Sequence, residues 1–137
     1  MNKPKIIQLP KITDVRGNLS FFETSNHIPF EIQRSYWIYD VPGGEMRGGH
    51  AYKKNCEFTI ALSGSFDIIL DNGKGNKQIF SLNRSYYGLY IPQLYWRQMC
   101  NFSTNALALI VASTPYNEKD YLRDYDEFCE FSVKDTQ

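Results

Sequence analysis

The sequence predicts an all-β fold of the sandwich or closed-barrel kind, and three observations carry that expectation. Short runs of aromatic and β-branched residues recur along most of the chain, as strands require. Turns rich in Gly, Pro and Asn separate them, with no regular alternation of strand and helix to mark βαβ units. Aromatic residues make up 15% of the 137, with Tyr 10, Phe 9 and Trp 2. That supplies a sheet-rich core and leaves rings to line a pocket.

Taken in order, residues 6–10 read as a short strand stopped by Pro10, and Asp14-Val15-Arg16-Gly17-Asn18 as a turn into a strand at 19–23. Residues 30–40 form an aromatic and branched run closed by Pro42-Gly43-Gly44. A short strand follows Gly48-Gly49 at 50–53, and further strands fall at 58–62, 66–70 and 78–82. Between the last two, Asp71-Asn72-Gly73 is a strong hairpin turn. Strands at 86–91 and 107–112 complete the set around a loop at 92–105, and residues 117–129 read as the single helical segment. There is no internal repeat and no flexible linker, so one domain over 1–137 is expected.

Lys+Arg 15 balances Asp+Glu 15, which gives no electrostatic case for nucleic acid or an anionic membrane. Cys56, Cys100 and Cys129 show no CxxC spacing. With no apolar signal-like run and no long apolar span, a cytoplasmic protein with reduced thiols is expected.

Two constellations narrow the fold. Gly44-x5-His50-x-Tyr52-x4-Glu57-x6-Gly64 and Gly88-x3-Pro92-x4-Arg97-x3-Asn101 resemble the two cupin motifs in spacing. They imply a double-stranded β-helix, a jelly-roll barrel, with a short C-terminal helix. Metal cupins carry His, His, Glu and His where this chain has His50, Tyr52, Glu57 and Arg97. Arg97 has no lone pair for a metal, and Tyr52 would ligate only as a phenolate, so no metal and no cofactor is expected.

The same residues suggest other chemistry. His50 titrates near neutrality in its ordinary state and is the candidate for proton transfer. Tyr52, two residues on and on the same strand face, is a candidate proton donor or carbonyl ligand. Glu57 is expected as a buried carboxylate paired with a cation or hydroxyl, Arg97 being one such partner. Arg16, Arg34, Arg47, Arg84 and Arg97 are scattered in sequence, and Arg16 and Arg47, in glycine-flanked turns, suit a diphosphate best. Tyr36, Trp37 and Tyr39 could stack on a base or sugar. Lys53, Lys54, Lys74 and Lys77 read as solvated charge, and His27 as a structural loop histidine.

At Arg47-Gly48-Gly49-His50-Ala51-Tyr52-Lys53-Lys54 the chain resembles the sugar-nucleotide 3,4-ketoisomerases acting on dTDP-4-keto-6-deoxy-D-glucose. The similarity continues through Asp14–Leu19, Leu62-Ser63-Gly64-Ser65, Leu70-Asp71-Asn72-Gly73, Ser85-Tyr86-Tyr87-Gly88-Leu89-Tyr90-Ile91-Pro92, Trp96, Val111-Ala112-Ser113 and Tyr116-Asn117-Glu118-Lys119-Asp120-Tyr121-Leu122-Arg123-Asp124-Tyr125. The resemblance implies a metal-independent, cytoplasmic isomerase that supplies 3-keto sugars for surface-glycan pathways such as lipopolysaccharide or S-layer assembly. It also implies a homodimer with exchanged N-terminal strands. His50 matches the first histidine of the family's Arg-Gly-x-His-Ala-His-Lys motif, and Tyr52 stands at the second. His50 and Tyr52 are then the expected catalytic pair, with Arg16, Arg47, Arg97, Tyr36, Trp37, Tyr39 and Glu57 toward substrate. A 3,5- or 5-epimerase on a similar ketosugar and a non-catalytic sugar-nucleotide binding domain are the alternatives.

Overall fold

A computed structural model describes residues 3–135. Its strands are β1 (Lys5–Gln8), β2 (Lys11–Asp14), β3 (Gly17–Ser20), β4 (Arg34–Ile38), β5 (Arg47–Tyr52), β6 (Glu57–Ser63), β7 (Phe66–Asp71), β8 (Lys77–Leu82), β9 (Tyr87–Ile91), β10 (Trp96–Cys100), β11 (Leu107–Ala112) and β12 (Tyr121–Leu122). Helix α1 spans Tyr125–Asp135. Antiparallel pairing orders one five-stranded sheet β1-β9-β6-β11-β4 and a second β12-β5-β10-β7-β8, while β2 and β3 form a separate hairpin.

Side-chain alternation decides how these sheets meet. Phe66, Ile68 and Leu70 point from β7 into the same cluster as Met99 of β10 and Leu82 of β8. From the other sheet, Ala61, Leu89, Ile91, Ala108 and Ile110 meet them. The two apolar faces are therefore buried by stacking, the usual solution for facing sheets.

The all-β class and the C-terminal helix agree with expectation, but the closed jelly-roll barrel does not. The outer strands β1 and β4 of one sheet, and β12 and β8 of the other, each pair on one side only, so no sheet closes on itself. Closure needs a continuous backbone ladder, whereas here the contact between sheets runs through side chains.

Two segments depart from the expected elements. The expected loop at 92–105 contains β10, whose inward residues are Arg97 and Met99. A buried guanidinium at the centre of the strand hides the apolar period by which strands are read. The expected helix at 117–129 is split. Asn117 caps only a 3-10 turn over Glu118–Asp120, its side chain accepting from the Lys119 N–H. The chain then extends as β12, because Leu122 buries beside Ala51 and Phe128 on the outer face of β5. Helix α1 begins only after Asp124, whose carboxylate accepts from the Glu127 N–H at 3.0 Å.

The run at 30–40 shortens to β4, while the turn after Asp71 joins β7 to β8 as expected. Strand β5 lies between β12 and β10. Its Gly48 has φ +97, and a Cβ there would stand 2.8 Å from the Arg97 carbonyl oxygen. Glycine allows the close approach at the register shift that aligns Arg97 opposite His50.

Candidate active site

A cavity of about 460 Å³ opens among β4, β5, β6, β10 and the segment carrying Tyr116, Tyr121 and Arg123. His50 and Tyr52 share its wall, as their two-residue spacing requires, while Ala51 packs on the opposite face under Leu122 and Phe128. Arg97 is the register partner of His50 and enters the same space from β10.

The floor is a buried charge pair. Arg97 Nη1 donates to Glu57 Oε1 at 2.8 Å, with the side chains 4% and 2% exposed. Glu57 Oε2 accepts from the Tyr36 hydroxyl at 2.7 Å and from Asn55 Nδ2 at 3.3 Å. Arg97 Nη2 donates to the Tyr95 carbonyl at 3.1 Å. Burial, followed by the charge of Glu57, pushes the Tyr36 phenol far upward, so it remains a donor to that carboxylate. These bonds offset the cost of taking two charges out of water, although Arg97 Nε is buried without a hydrogen-bond partner among the described residues.

Above the floor sits His50. Burial, then the positive charges of Arg97 and Arg123, push its imidazole down to about 3, so the ring is neutral at neutral pH. Its Nε2 is buried and has no hydrogen-bond partner. An interaction with the Gly48 backbone partly opposes that downward shift, and an unprotonated Nε2 would present a free lone pair.

Two tyrosines flank the imidazole, with ring centroids 5.0 Å away for Tyr52 and 5.2 Å for Tyr121. The Tyr52 hydroxyl donates to the Tyr121 hydroxyl at 3.2 Å. The Arg97 guanidinium lies 4.8 Å from the Tyr52 ring centroid. Burial first, then Glu57, pushes the Tyr52 phenol upward, so it holds its proton.

Cations ring the outer part of the cavity. Arg34 lies 5.5 Å from the Tyr36 centroid and 5.7 Å from that of Tyr116. Arg123 lies 4.2 Å from the Tyr121 centroid and pairs with Glu118 at 2.6 Å and 3.0 Å. Those hydrogen bonds from Arg123, and then one from Tyr116, hold the Glu118 carboxyl down to about 2. Arg47 completes the cationic rim.

The structure brings together His50, Tyr52, Glu57, Arg97, Arg47 and Tyr36, and sets Trp37 on the same lining. Tyr39 faces away: two residues beyond Trp37, it lies in a shallow depression with Ser63 and Asn105. Strand alternation divides the expected wall: Tyr36 turns inward, while Trp37 and Tyr39 share the outer face and that depression, Trp37 also reaching the cavity. Arg16 lies outside the cavity, at the β2–β3 turn, 87% exposed and paired with Asp14 at 2.8 Å. Its turn belongs to a hairpin that pairs with neither five-stranded sheet. Arg84 donates to the Asn83 carbonyl at the surface. His27 Nδ1 accepts from the Glu23 N–H, a structural role as expected.

Arg34, Tyr121 and Arg123 were not singled out from sequence as site residues. Arg34 was within reach, since it shares strand parity with Tyr36. Tyr121 and Arg123 were hidden by the helical reading of their segment.

Comparison with known proteins matches residues 2–133 to the family model FdtA, described as WxcM-like, C-terminal. The chain is 40% identical over 130 residues to the TDP-4-oxo-6-deoxy-alpha-D-glucose-3,4-oxoisomerase of Aneurinibacillus thermoaerophilus, covering 95% of this chain and 93% of that one. It resembles the crystal structure of QdtA, a sugar 3,4-ketoisomerase from Thermoanaerobacterium thermosaccharolyticum in complex with TDP, with TM-score 0.93, 36% identity, and 98% and 97% coverage. It also resembles the WlaRB TDP-quinovose 3,4-ketoisomerase of Campylobacter jejuni, with TM-score 0.89, 44% identity, and 95% and 99% coverage.

Proposed function

The chain belongs to the FdtA family (WxcM-like, C-terminal), and on that premise we propose that it is a sugar-nucleotide isomerase moving the keto group of dTDP-4-keto-6-deoxy-D-glucose from C4 to C3. The observation that carries this reading is the neutral imidazole of His50, which lines the cavity and whose buried Nε2 has no hydrogen-bond partner. A lone pair held there is a base awaiting a proton.

The chemistry needs no external oxidant. His50 takes the C3 proton, the C4 carbonyl becomes an enediol, and the proton returns at C4 as the C3 hydroxyl becomes a carbonyl. Tyr52 serves the oxygen side as proton donor or carbonyl ligand, itself or through its hydrogen-bonded neighbour. Arg97, fixed by Glu57, puts a permanent cation beside the developing negative charge without reorganising. Tyr36 and Asn55 hold that pair in place.

The cationic rim suits the diphosphate, with Arg47, Arg34 and Arg123 on the same cavity. Binding an anion among these groups also offsets part of the field that depresses His50, making it a stronger base once substrate is seated. Trp37, half exposed at the mouth, would stack on thymine or sugar.

We further propose a cytoplasmic homodimer that exchanges N-terminal strands. Hairpin β2–β3 pairs only with itself among the described residues, and it exposes Ile12, Val15 and Leu19. That apolar surface calls for a partner. Exchange would carry Arg16 toward a second copy's cavity, where it would join the diphosphate ligands. The three cysteines are free, in keeping with a reducing compartment. The 3-keto product would supply an aminotransferase in surface-glycan synthesis. The reading is tested by incubating the protein with dTDP-4-keto-6-deoxy-D-glucose and locating the product carbonyl by carbon NMR: a resonance at C3 supports it, and a carbonyl that stays at C4 rejects it.

A further inference from the structure

Carbonyl migration moves two protons, one between carbons and one between oxygens, and His50 accounts for the first alone. The oxygen-side group must border the cavity, have a proton to give, and be able to hold negative charge between the two half-reactions. Tyr52 meets the first condition poorly, being 1% exposed. Its hydroxyl proton is already committed to Tyr121. Tyr121 is the more open ring and lines the cavity at β12. Its oxygen accepts from Tyr52, and none of the hydrogen bonds among the described residues engages its own proton. The Arg123 guanidinium lies over its ring at 4.2 Å, and Arg34 faces its hydroxyl.

We propose that Tyr121 is the acid and base on the oxygen side of the reaction, with Tyr52 as the positioning residue that hydrogen-bonds it. The proposal rests on the isomerase reading above. As His50 Nε2 takes the C3 proton, Tyr121 gives its hydroxyl proton to O4. The C3–H electron pair becomes the C3=C4 double bond and the C4=O π pair becomes the new O–H bond. The site then holds a neutral enediol, an imidazolium and a phenolate. In the second half Tyr121 takes the O3 proton back, the C3 carbonyl forms, and the double-bond pair takes the proton from His50 at C4. Both side chains end as they began. The phenolate is held meanwhile by the Tyr52 hydroxyl and by the charges of Arg34 and Arg123.

The groups facing Tyr121 are His50 and Tyr52 from β5, Arg34 from β4, Tyr116 and Glu118 from the preceding turn, and its neighbour Arg123. The neutral aromatic side chain of Tyr121→Phe leaves that packing in place while removing the proton. The expected result is a kcat at least about 100-fold lower, as for loss of a general acid. KM and the Kd for TDP should stay within about threefold. Placing 3,5-difluorotyrosine at position 121 retains the ring and acidifies the hydroxyl. It should restore turnover relative to Tyr121→Phe and move the alkaline fall in kcat to lower pH, which mere packing would not do. An unaltered kcat in Tyr121→Phe, or an unaltered pH profile in the fluorinated protein, overturns the role of Tyr121. Wild-type protein that binds TDP yet leaves the carbonyl at C4 instead overturns the isomerase reading itself.

Discussion

The Arg97 guanidinium and the Glu57 carboxylate meet at 2.8 Å at the bottom of the cavity, both almost wholly buried. The pair joins β10 of one sheet to β6 of the other. It also brings a fixed positive charge beside the Tyr52 ring and contributes to the field that keeps His50 neutral. One ion pair thus links the packing of the two sheets to the protonation state of the proposed base.

Breaking that pair should be costly. Glu57→Ala leaves Arg97 buried without its counter-charge and should lower unfolding stability by about 3–5 kcal/mol. Glu57→Gln, which keeps hydrogen-bonding capacity, should lose less. Urea unfolding measures both, and a loss under about 1 kcal/mol for Glu57→Ala would show that Arg97 finds water when unpaired.

Stability should fall with acidity in a window set by His50. Its folded value of about 3 lies below its ordinary 6.5, so between these values the unfolded chain binds a proton that the folded chain refuses. The stabilisation is present above pH 6.5 and is lost progressively toward pH 3. The slope can reach about 1.4 kcal/mol per pH unit. His50→Asn should flatten this part of the profile in denaturant titrations, apart from the carboxylate effects at lower pH. It should also lower kcat by about 100-fold or more. Parallel stability profiles in the two proteins would contradict the depressed imidazole.

The register shift in β10 can be tested at glycine. Gly48→Ala places a methyl 2.8 Å from the Arg97 carbonyl oxygen at φ +97. It should cost on the order of 1–3 kcal/mol and reduce turnover by displacing His50 from Arg97. Gly49→Ala meets nothing within 4 Å and bears only the strain of φ +78, so it should be milder. Equal melting temperatures for the two variants would remove steric approach as the reason for Gly48.

How much of this arrangement was legible depended on the residue type at each position. Strand parity brought His50 and Tyr52 to one face, and the Glu57–Arg97 pairing followed from the cost of burying either alone. The same Arg97 concealed β10, since a polar residue on the inward face breaks the apolar alternation of that strand. Tyr121 was lost for another reason: Asn117 and the acidic residues after it look like a helix start, yet they cap one 3-10 turn. Closure of the sheets could not be read from motif spacing, which fixes distances along the chain but no pairing between outer strands.

The cationic rim gives a binding phenotype. Arg47→Ala should raise KM and the Kd for TDP about tenfold, near 1.4 kcal/mol, with kcat within about twofold. The difference from wild type should shrink as salt is raised. A selective loss of kcat would instead place Arg47 at the reacting atoms.

The N-terminal hairpin gives an assembly phenotype. Ile12→Asp and Leu19→Asp put charge on its exposed apolar residues, and should halve the mass seen by light scattering. A wild-type protein that is already monomeric would refute the proposed exchange.

The most direct measurement follows the fate of one hydrogen. Purified protein is incubated with dTDP-4-keto-6-deoxy-D-glucose in D2O and the sugar is observed by proton NMR. A ketoisomerase working through His50 gives a 3-keto product, with deuterium at C4 to the extent that the proton on His50 exchanges with solvent before it returns. Deuterium at C3 or C5 with the carbonyl still at C4 would make the protein an epimerase. Tight nucleotide-sugar binding with the carbonyl left at C4 and no exchange at any sugar carbon would contradict catalysis altogether.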